Sequence, residues 1–541
     1  MATAIELLRQ GRTQELWEKY CGFIDLSLEE FMNIQKRLLM EQIQWFGRCE
    51  LGKKIMGEPL PRSAEEFRQR VPLTTYADYI PYLPEKREDV LPEKPALWMR
   101  TSGRSGEYQC KWAPIFREGW EATGGPYVMA LLMFASCKDR GDFVFQEHDK
   151  IPFTMAPRPY VFGWIAHAMT KAFPFDLLPP QDEAEKMPFQ ERMKAAFSLG
   201  FREGIDIYFG LASVLVKMGE QFSGQAEQKT AFSKEMLHPK TIYRLSRGII
   251  RSRLAGRPMY PKDLWDVKAI VTGGTDTSVF KSRIAEYWGK APIEIYGGTE
   301  IHLIAMQTWD REGMTFLPDM SFLEFIPEDE HLKAKADPSY QPRTVLLNEV
   351  EAGKRYEIVT TSLRIGPFFR YRIGDMIKIT ALCNEKLGID IPQMVFESRC
   401  DDIIDLAGFT RMTERTIWQA LERSEVRYED WTARKEIHDQ HPILHLYLEP
   451  KGDIQCGEAV EDAIDQGLKE VDADYADIEE MLQYKPLRVT ILTPGTFHRY
   501  LLDRQAAGAE PAHFKPPHVV HSQKVIDLLL QLSAMADQSS L

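Results

Sequence analysis

Cysteine is scarce and unpatterned in this chain, and that excludes two architectures at once. Seven cysteines are scattered from Cys21 to Cys456 without a C-x-x-C pair, so neither a disulfide framework nor a zinc knuckle is expected, and reduced core thiols are. Long apolar runs are missing too. The longest candidate, residues 127–137, is about half of the roughly 18–20 residues that a membrane span needs; it reads as a buried helix. The opening residues Met1-Ala2-Thr3-Ala4-Ile5-Glu6-Leu7-Leu8-Arg9 lack the basic start, apolar stretch and cleavage site of a secretory signal, which makes the cytoplasm the expected location. Positive charge is in deficit: 67 Lys and Arg stand against 80 Asp and Glu, a formal net charge of −13. Such an excess repels nucleic acid and acidic lipid at long range, so neither nucleic acid nor a membrane is an expected partner. No G-x-S-x-G elbow and no Cys-His pattern appears. His438, His441 and His445 have metal-like spacings, but Pro442 and the strand-like run after it argue against a shared helical face.

What is present suits a soluble globular protein. At 541 residues, with 44% hydrophobic and 27% charged residues, the chain is expected to form two to four units. Apolar residues recur at three- and four-residue intervals from Ile5 to Trp45, which predicts one or two amphipathic helices. From about Trp98 to Phe325, strand-like runs at 269–271 and 293–296 alternate with helical patterns such as 207–218. That alternation implies parallel strands covered by helices, with ligands at the carboxyl ends of strands. Three short strands at 356–361, 368–372 and 376–380 then read as antiparallel. A polar hinge over 398–410 would separate an N-terminal domain, 1–397, from a small α/β C-terminal domain, 411–541. That domain is expected to hold helices at 413–421, 458–471 and 524–535 and strands at 443–448 and 487–492.

Four turns carry the chemistry. Thr101-Ser102-Gly103-Arg104-Ser105-Gly106 can fold backbone N–H groups and hydroxyls around phosphate oxygens, although such a turn is common. Tyr296-Gly297-Gly298-Thr299-Glu300 ends a strand with two glycines that let a flat ring approach, then places a hydroxyl beside a carboxylate. That pair suits Mg²⁺ and a phosphate, or else merely caps a helix. Phe368-Phe369-Arg370-Tyr371-Arg372-Ile373-Gly374-Asp375 sets a carboxylate on a Gly turn, where it can accept both hydroxyls of a ribose; an edge strand with solvated arginines is the plainer alternative. Arg399, in Ser398-Arg399-Cys400-Asp401-Asp402, would bracket that ribose with Asp375. Lys515, in Phe514-Lys515-Pro516-Pro517, would bring a point charge to the α-phosphate as charge builds during displacement. In this order the turns spell an ATP-dependent adenylating enzyme. One stretch stays outside the scheme: Arg244, Arg247, Arg251, Arg253 and Arg257 form a basic segment, read as a salt-bridged helix or as a surface for an anionic substrate or coenzyme.

The ordered motifs resemble the Gretchen Hagen family of acyl-acid amido synthetases within the adenylate-forming superfamily. The likeness runs through most of the chain from Phe67-Arg68-Gln69-Arg70-Val71-Pro72-Leu73 onward, and is most specific at Phe322-Leu323-Glu324-Phe325-Ile326-Pro327, at Arg370 to Asp375, and at Pro494-Gly495-Thr496-Phe497 followed by Gly508 and Lys515. It implies an α/β adenylate-forming fold: a large N-terminal domain of mixed sheets, helices and a small barrel-like part, and a small mobile C-terminal domain. It also implies a ligase that joins a carboxylic acid to ATP, releases pyrophosphate and transfers the acyl group to an amine or amino acid, releasing AMP. Carried over, residues 101–106 with Gly273, Gly274, Tyr296, Gly297, Gly298, Asp375 and Arg399 are the nucleotide-binding candidates. Thr299, Glu300 and Lys515 are the catalytic ones, with Glu300 on Mg²⁺. The apolar stretch with Tyr208, Phe209 and Ala212 is the expected pocket for an aryl or hydrophobic acid. Arg104 stands where the family usually has Thr, with Lys111 the nearest lysine, and His518 stands where Arg is common. Two alternatives follow: coenzyme A as the acceptor, or, given Arg104, a nucleotide-binding homologue without turnover.

Overall fold

Ser27 and Glu30 show how local chemistry starts an element in this chain. The computed structural model describes residues 3–101, 111–224, 238–273, 277–337, 339–400, 404–406, 410–438, 441–452, 457–472, 475–476, 485–506, 516–520 and 522–539. In it, Ser27 Oγ accepts from the Glu30 N–H at 3.3 Å while Glu30 Oε2 accepts from the Ser27 N–H at 2.9 Å. Such a cap is worth about 1 kcal/mol. The helix that it opens, Leu28–Phe46, turns Phe31, Leu39, Ile43 and Phe46 wholly inward. Before it come helices Ala4–Arg9 and Thr13–Cys21. The segment expected to hold one or two helices therefore holds three, divided at Gly11, whose φ of +69° ends the first. The apolar run forms helix Gly125–Ser136, buried from Tyr127 to its end, and each large side chain so buried contributes about 1.5–3 kcal/mol. No helix among the described residues is long and apolar enough to cross a membrane.

The chain divides into two compact units, Met1–Phe396 and Glu397–Leu541. The first is built on a nine-stranded mixed sheet. In chain order its strands are β1 Ile207–Gly210, β2 Ala269–Gly273, β3 Ile293–Gly298, β4 His302–Met306, β5 Met314–Phe316, β6 Ser321–Pro327, β7 Arg355–Ser362, β8 Tyr371–Ala381 and β9 Gln393–Arg399. In space they run β6-β7-β8-β9-β5-β4-β3-β2-β1. The β1-β2-β3 edge is parallel, and β3-β4-β5 and β6-β7-β8 are antiparallel. Two expectations change here. Residues 207–218, read as helical, are a buried strand, Ile207–Gly210, followed by helix Ala212–Ser223. Of the strands expected at 368–372 and 376–380, residues 368–370 lie outside any strand and the rest belong to one strand, β8. Gly374, at φ +81°, sits in a bulge of β8 rather than in a turn: Arg372 pairs with Val359 but Met376 pairs with Glu357, so β8 holds two more residues than β7 over that span.

The second unit packs helices Glu414–Arg423 and Gly457–Val471 with a three-stranded sheet of Tyr428–His438, His441–Pro450 and Leu487–Ile491. Gly467 lets the two helices touch, since a Cβ there would lie 2.4 Å from the Ala420 carbonyl oxygen. Helices Thr496–Ala506 and Gln523–Ser539 share a smaller core with Tyr447 and Val520.

Candidate active site

The turn between β3 and β4 is tight because Gly297 leaves no Cβ to meet the His302 carbonyl oxygen, which would lie 2.2 Å away. It presents Thr299 and Glu300, both buried. Tyr296, on β3, stacks against Phe396 with ring centroids 6.0 Å apart and donates its hydroxyl to Asp375 Oδ2 at 2.9 Å. From β8, Tyr371 donates to Glu300 Oε1 at 3.2 Å. The two motifs, distant in sequence, are thus bonded to each other at two points.

A third segment completes this ring. Strands Leu97–Arg100 and Trp112–Ile115 pair antiparallel. Beyond them Thr101 donates its N–H to the Lys111 carbonyl at 2.9 Å, and Thr101 Oγ1 accepts the Lys111 N–H at 2.9 Å. Thr101 and Lys111 therefore extend the paired stem, and Ser102, Gly103, Arg104, Ser105 and Gly106 lie outside the described residues. From the foot of the stem Lys111 Nζ reaches Glu300 Oε1 at 3.2 Å and lies 5.3 Å from the Tyr76 ring centroid. Burial, followed by the Glu300 charge, pushes the Tyr371 phenol far above its ordinary range; Tyr371 stays a protonated donor. Lys111 and Tyr371 both engage Oε1, which leaves Oε2 as the oxygen that a cation could use. Mg²⁺ takes only one or two protein oxygens and keeps its waters, so the carboxylate fits that ion through Oε2 but not as a two-oxygen clamp.

The arginines of the basic-aromatic run do other work. Arg370, with φ +43° and buried, forks onto Glu324 at 3.0 and 2.9 Å and donates to the carbonyls of Arg68 and Val71 at 2.6 Å each. Glu324 also accepts from Thr344 at 2.7 Å. Arg372 pairs with Glu357 at 2.8 and 2.7 Å, and His331 lies 2.6 Å from the same carboxylate. These pairs fix β8 against β6 and β7. Sequence reading missed them because both glutamates lie on other strands.

The remaining candidates fall in several places. Gly273 ends β2, where a Cβ would lie 3.1 Å from the Phe162 ring; Gly274 lies outside the described residues, as does Lys515. Arg399 closes β9 within the second unit. The pocket candidates are buried: Tyr208 and Ala212 pack with Trp265 and Trp288, and Phe209 lies in the main core. The Tyr208 hydroxyl donates to the Leu211 carbonyl at 3.0 Å. An apolar β-strand between helices makes core as readily as pocket, and the sequence alone cannot separate the two. In the second unit His518 is buried between Glu414 and Asp430, 2.7 and 2.9 Å away, and stacked on Trp431 at 4.4 Å. Burial alone would depress its pKa, but the Glu414 charge and hydrogen bonds to Asp430 and Glu414 override it, to about 9. This histidine is a cation, as an arginine there would be.

Models of the GH3 family match this chain in three places that together cover more than half of it: the N-terminal domain over residues 21–141, the central domain over 314–399 and the C-terminal domain over 412–524. Among curated proteins, jasmonoyl–L-amino acid synthetase JAR4 of Nicotiana attenuata is 28% identical over 269 residues, 47% of this chain and 44% of that protein. Indole-3-acetic acid-amido synthetase GH3.8 of Oryza sativa subsp. indica is 27% identical over 232 residues, 40% of this chain and 36% of that protein. The chain spans less than half the length of these curated relatives. Among solved structures, GH3.15 acyl acid amido synthetase superposes with TM-score 0.65 at 16% identity, over 92% of this chain and 93% of that one. A 2-hydroxyisobutyryl-CoA ligase in the postadenylation state superposes with TM-score 0.57 at 16% identity, over 93% and 91%. The fold is that of the adenylate-forming enzymes.

Proposed function

The chain belongs to the GH3 family, and from that premise we propose that it is a carbon–nitrogen ligase acting through an acyl-adenylate. The acid's carboxylate oxygen displaces pyrophosphate from the α-phosphorus of ATP. The P–O bond to the β-phosphate breaks and its electron pair leaves with pyrophosphate. An amine, by preference that of an amino acid, then attacks the acyl carbon; the bond to AMP breaks and the nitrogen gives up a proton.

The observation that carries this reading is the ring joining Tyr296 to Asp375, Tyr371 to Glu300 and Lys111 to Glu300. It gathers a phosphate-loop stem, a strand-end turn and a carboxylate strand into one patch of polar groups on a rigid sheet. In the proposed scheme Asp375 accepts the ribose hydroxyls, residues 101–106 with Gly273 and Gly274 bind the phosphates, Arg399 is a further ribose ligand, and Lys515 acts on the α-phosphate. Lys111 and Tyr371 hold the Glu300 carboxylate in place, with Thr299 next to it. Glu300 would hold magnesium through Oε2, and the ion when bound neutralises phosphate charge. Coenzyme A is the rival acceptor. Against it, Arg244 is spent on the carbonyls of Phe201 and Arg202, and Arg257 on Asp263.

Acid-dependent ATP–pyrophosphate exchange, screened over aryl and alkyl acids, tests the first half-reaction; folded protein with no exchange on any acid would leave the inactive nucleotide binder. Mass spectrometry of paired reactions given an amino-acid mixture or coenzyme A tests the second. A thioester without an amide overturns the amine.

A further inference from the structure

The basic stretch picked out in the sequence is helix Pro239–Leu254, started by Pro239 and by His238 Nδ1 accepting the Lys240 N–H at 3.3 Å. Its inner face is small: Thr241, Gly248 and Ser252 are buried. Its outer face is not polar. Tyr243, Ile250 and Leu254 are 69%, 59% and 84% exposed, and Ile242 and Ile249 are exposed beside them. At 3.6 residues per turn Tyr243, Ile250 and Leu254 fall on one line about 16 Å long. Lys240, Arg247 and Arg251 flank that line on one side, with Arg253 on the other. From residue 239 to 257 the sequence holds six cations and no acid. The acids bonded to them come from neighbouring elements: Glu203 to Lys240, Asp266 to Arg247 and Arg251, and Asp263 to Arg257. Asp266 is itself 70% exposed. Lys240, Arg251 and Arg253 are exposed as well.

We propose that the outer face of helix Pro239–Leu254 docks on an anionic lipid surface, with Tyr243, Ile250 and Leu254 entering the headgroup region and the flanking cations facing lipid phosphates. An apolar ridge edged by Lys and Arg, on a helix whose opposite face is bonded to the body of the unit, is the arrangement of a helix that lies in an interface. A convex ridge suits a surface that deforms around it. The positive edge complements lipid phosphate, and it would repel the same edge of a second copy. The net charge of −13 does not oppose this at contact, because charges beyond a Debye length of about 10 Å are screened.

Flotation of the full chain with vesicles tests the proposal, using phosphatidylcholine alone and phosphatidylcholine mixed with phosphatidylglycerol. Binding is expected to the mixed vesicles, to weaken with salt, and to fall about tenfold or more in the Ile250→Glu/Leu254→Glu variant. The variant changes only exposed side chains, and unaltered nucleotide binding would show that its fold is intact. No binding to the mixed vesicles overturns the proposal, and so does binding that the variant retains. Concentration-dependent dimers in sedimentation, abolished by the variant while vesicle binding is absent, would assign the face to a second copy instead.

Discussion

Replacing Asp375 by alanine removes the one acceptor that the proposed scheme gives to the ribose, and the structure sets the size of the effect. Asp375 is buried and already accepts from Tyr296 at 2.9 Å, so its carboxylate is held in place before a nucleotide arrives. Hydrogen bonds to a charged group are worth about 1.5–3 kcal/mol. Losing one such bond weakens ATP binding about tenfold, and losing both ribose contacts about a hundredfold or more, since each 1.4 kcal/mol or so is a factor of ten. The Tyr296→Phe variant keeps the carboxylate and removes only its support, so its loss of affinity should be smaller. In the double variant the Tyr296 change should add little, because the hydroxyl has nothing left to orient. Isothermal calorimetry of ATP measures all three. Folding is the control: loss of the Tyr296–Asp375 hydrogen bond lowers stability by about 1.5–3 kcal/mol, which urea titration reads separately. ATP affinity in Asp375→Ala equal to that of the parent would refute the ribose assignment, and strictly additive effects would refute the orienting role of Tyr296.

Arg370→Met removes the two-bond partner of the buried Glu324 carboxylate, leaving it Thr344 and Arg68 at 3.5 Å, removes the donor to two carbonyls, and should lower stability by about 3 kcal/mol; the Arg370→Met/Glu324→Met variant should regain part of that in urea titrations, and equal losses in both would contradict it. Lys515→Ala should slow single-turnover adenylate formation at least tenfold while ATP affinity holds, because a charge that meets the transition state changes rate more than ground-state binding; an unchanged rate excludes Lys515 from the chemistry. For His518 the folded pKa, about 9, lies above the ordinary 6.5. Its stabilisation is therefore complete below about pH 6.5, is lost as pH rises through 9, and amounts to roughly 3 kcal/mol. The difference in urea midpoint between the parent and His518→Gln should shrink from pH 6 to pH 10, and a constant difference would contradict the buried cation.

Elements whose signal is local were legible in the sequence. Helix Gly457–Val471, strand His441–Pro450 and the buried helix Gly125–Ser136 each lie close to their expected bounds, because amphipathic period or unbroken apolar content decides them. Where two strands had to be known together, reading failed. Gly374-Asp375 looks like a turn until β7 is laid beside it and shows a bulge. Residues 207–218 look amphipathic because a four-residue buried strand runs straight into a helix. Helix Thr496–Ala506 escaped notice behind Pro494-Gly495; Glu449, from strand His441–Pro450, accepts the Gly495 and Phe497 N–H groups at 2.5 and 2.8 Å at its start. The same limit applies to Lys111. Its neighbours in sequence say nothing of Glu300, and only closure of the hairpin stem brings the two together.

The basic-aromatic run then yields to a division of labour along one strand. Arg370 and Arg372 take Glu324 and Glu357, while Tyr371 and Asp375 take Glu300 and Tyr296. Side chains alternate across a strand with a period of two, so a bulge of one extra residue would have turned Asp375 away from the side that Tyr371 serves. A bulge of two keeps the parity and still bends the strand. Gly374 supplies the positive φ that such a bulge needs. A buried ion pair is a poor source of net stability but a strong determinant of which arrangement is allowed, and here the two pairs fix the register at the strand's start. The polar groups ahead of the bulge are thereby positioned by residues that touch no nucleotide in the scheme. That is why half of a motif read as chemistry is scaffold, and why in that scheme the carboxylate it carries is ready before ATP binds.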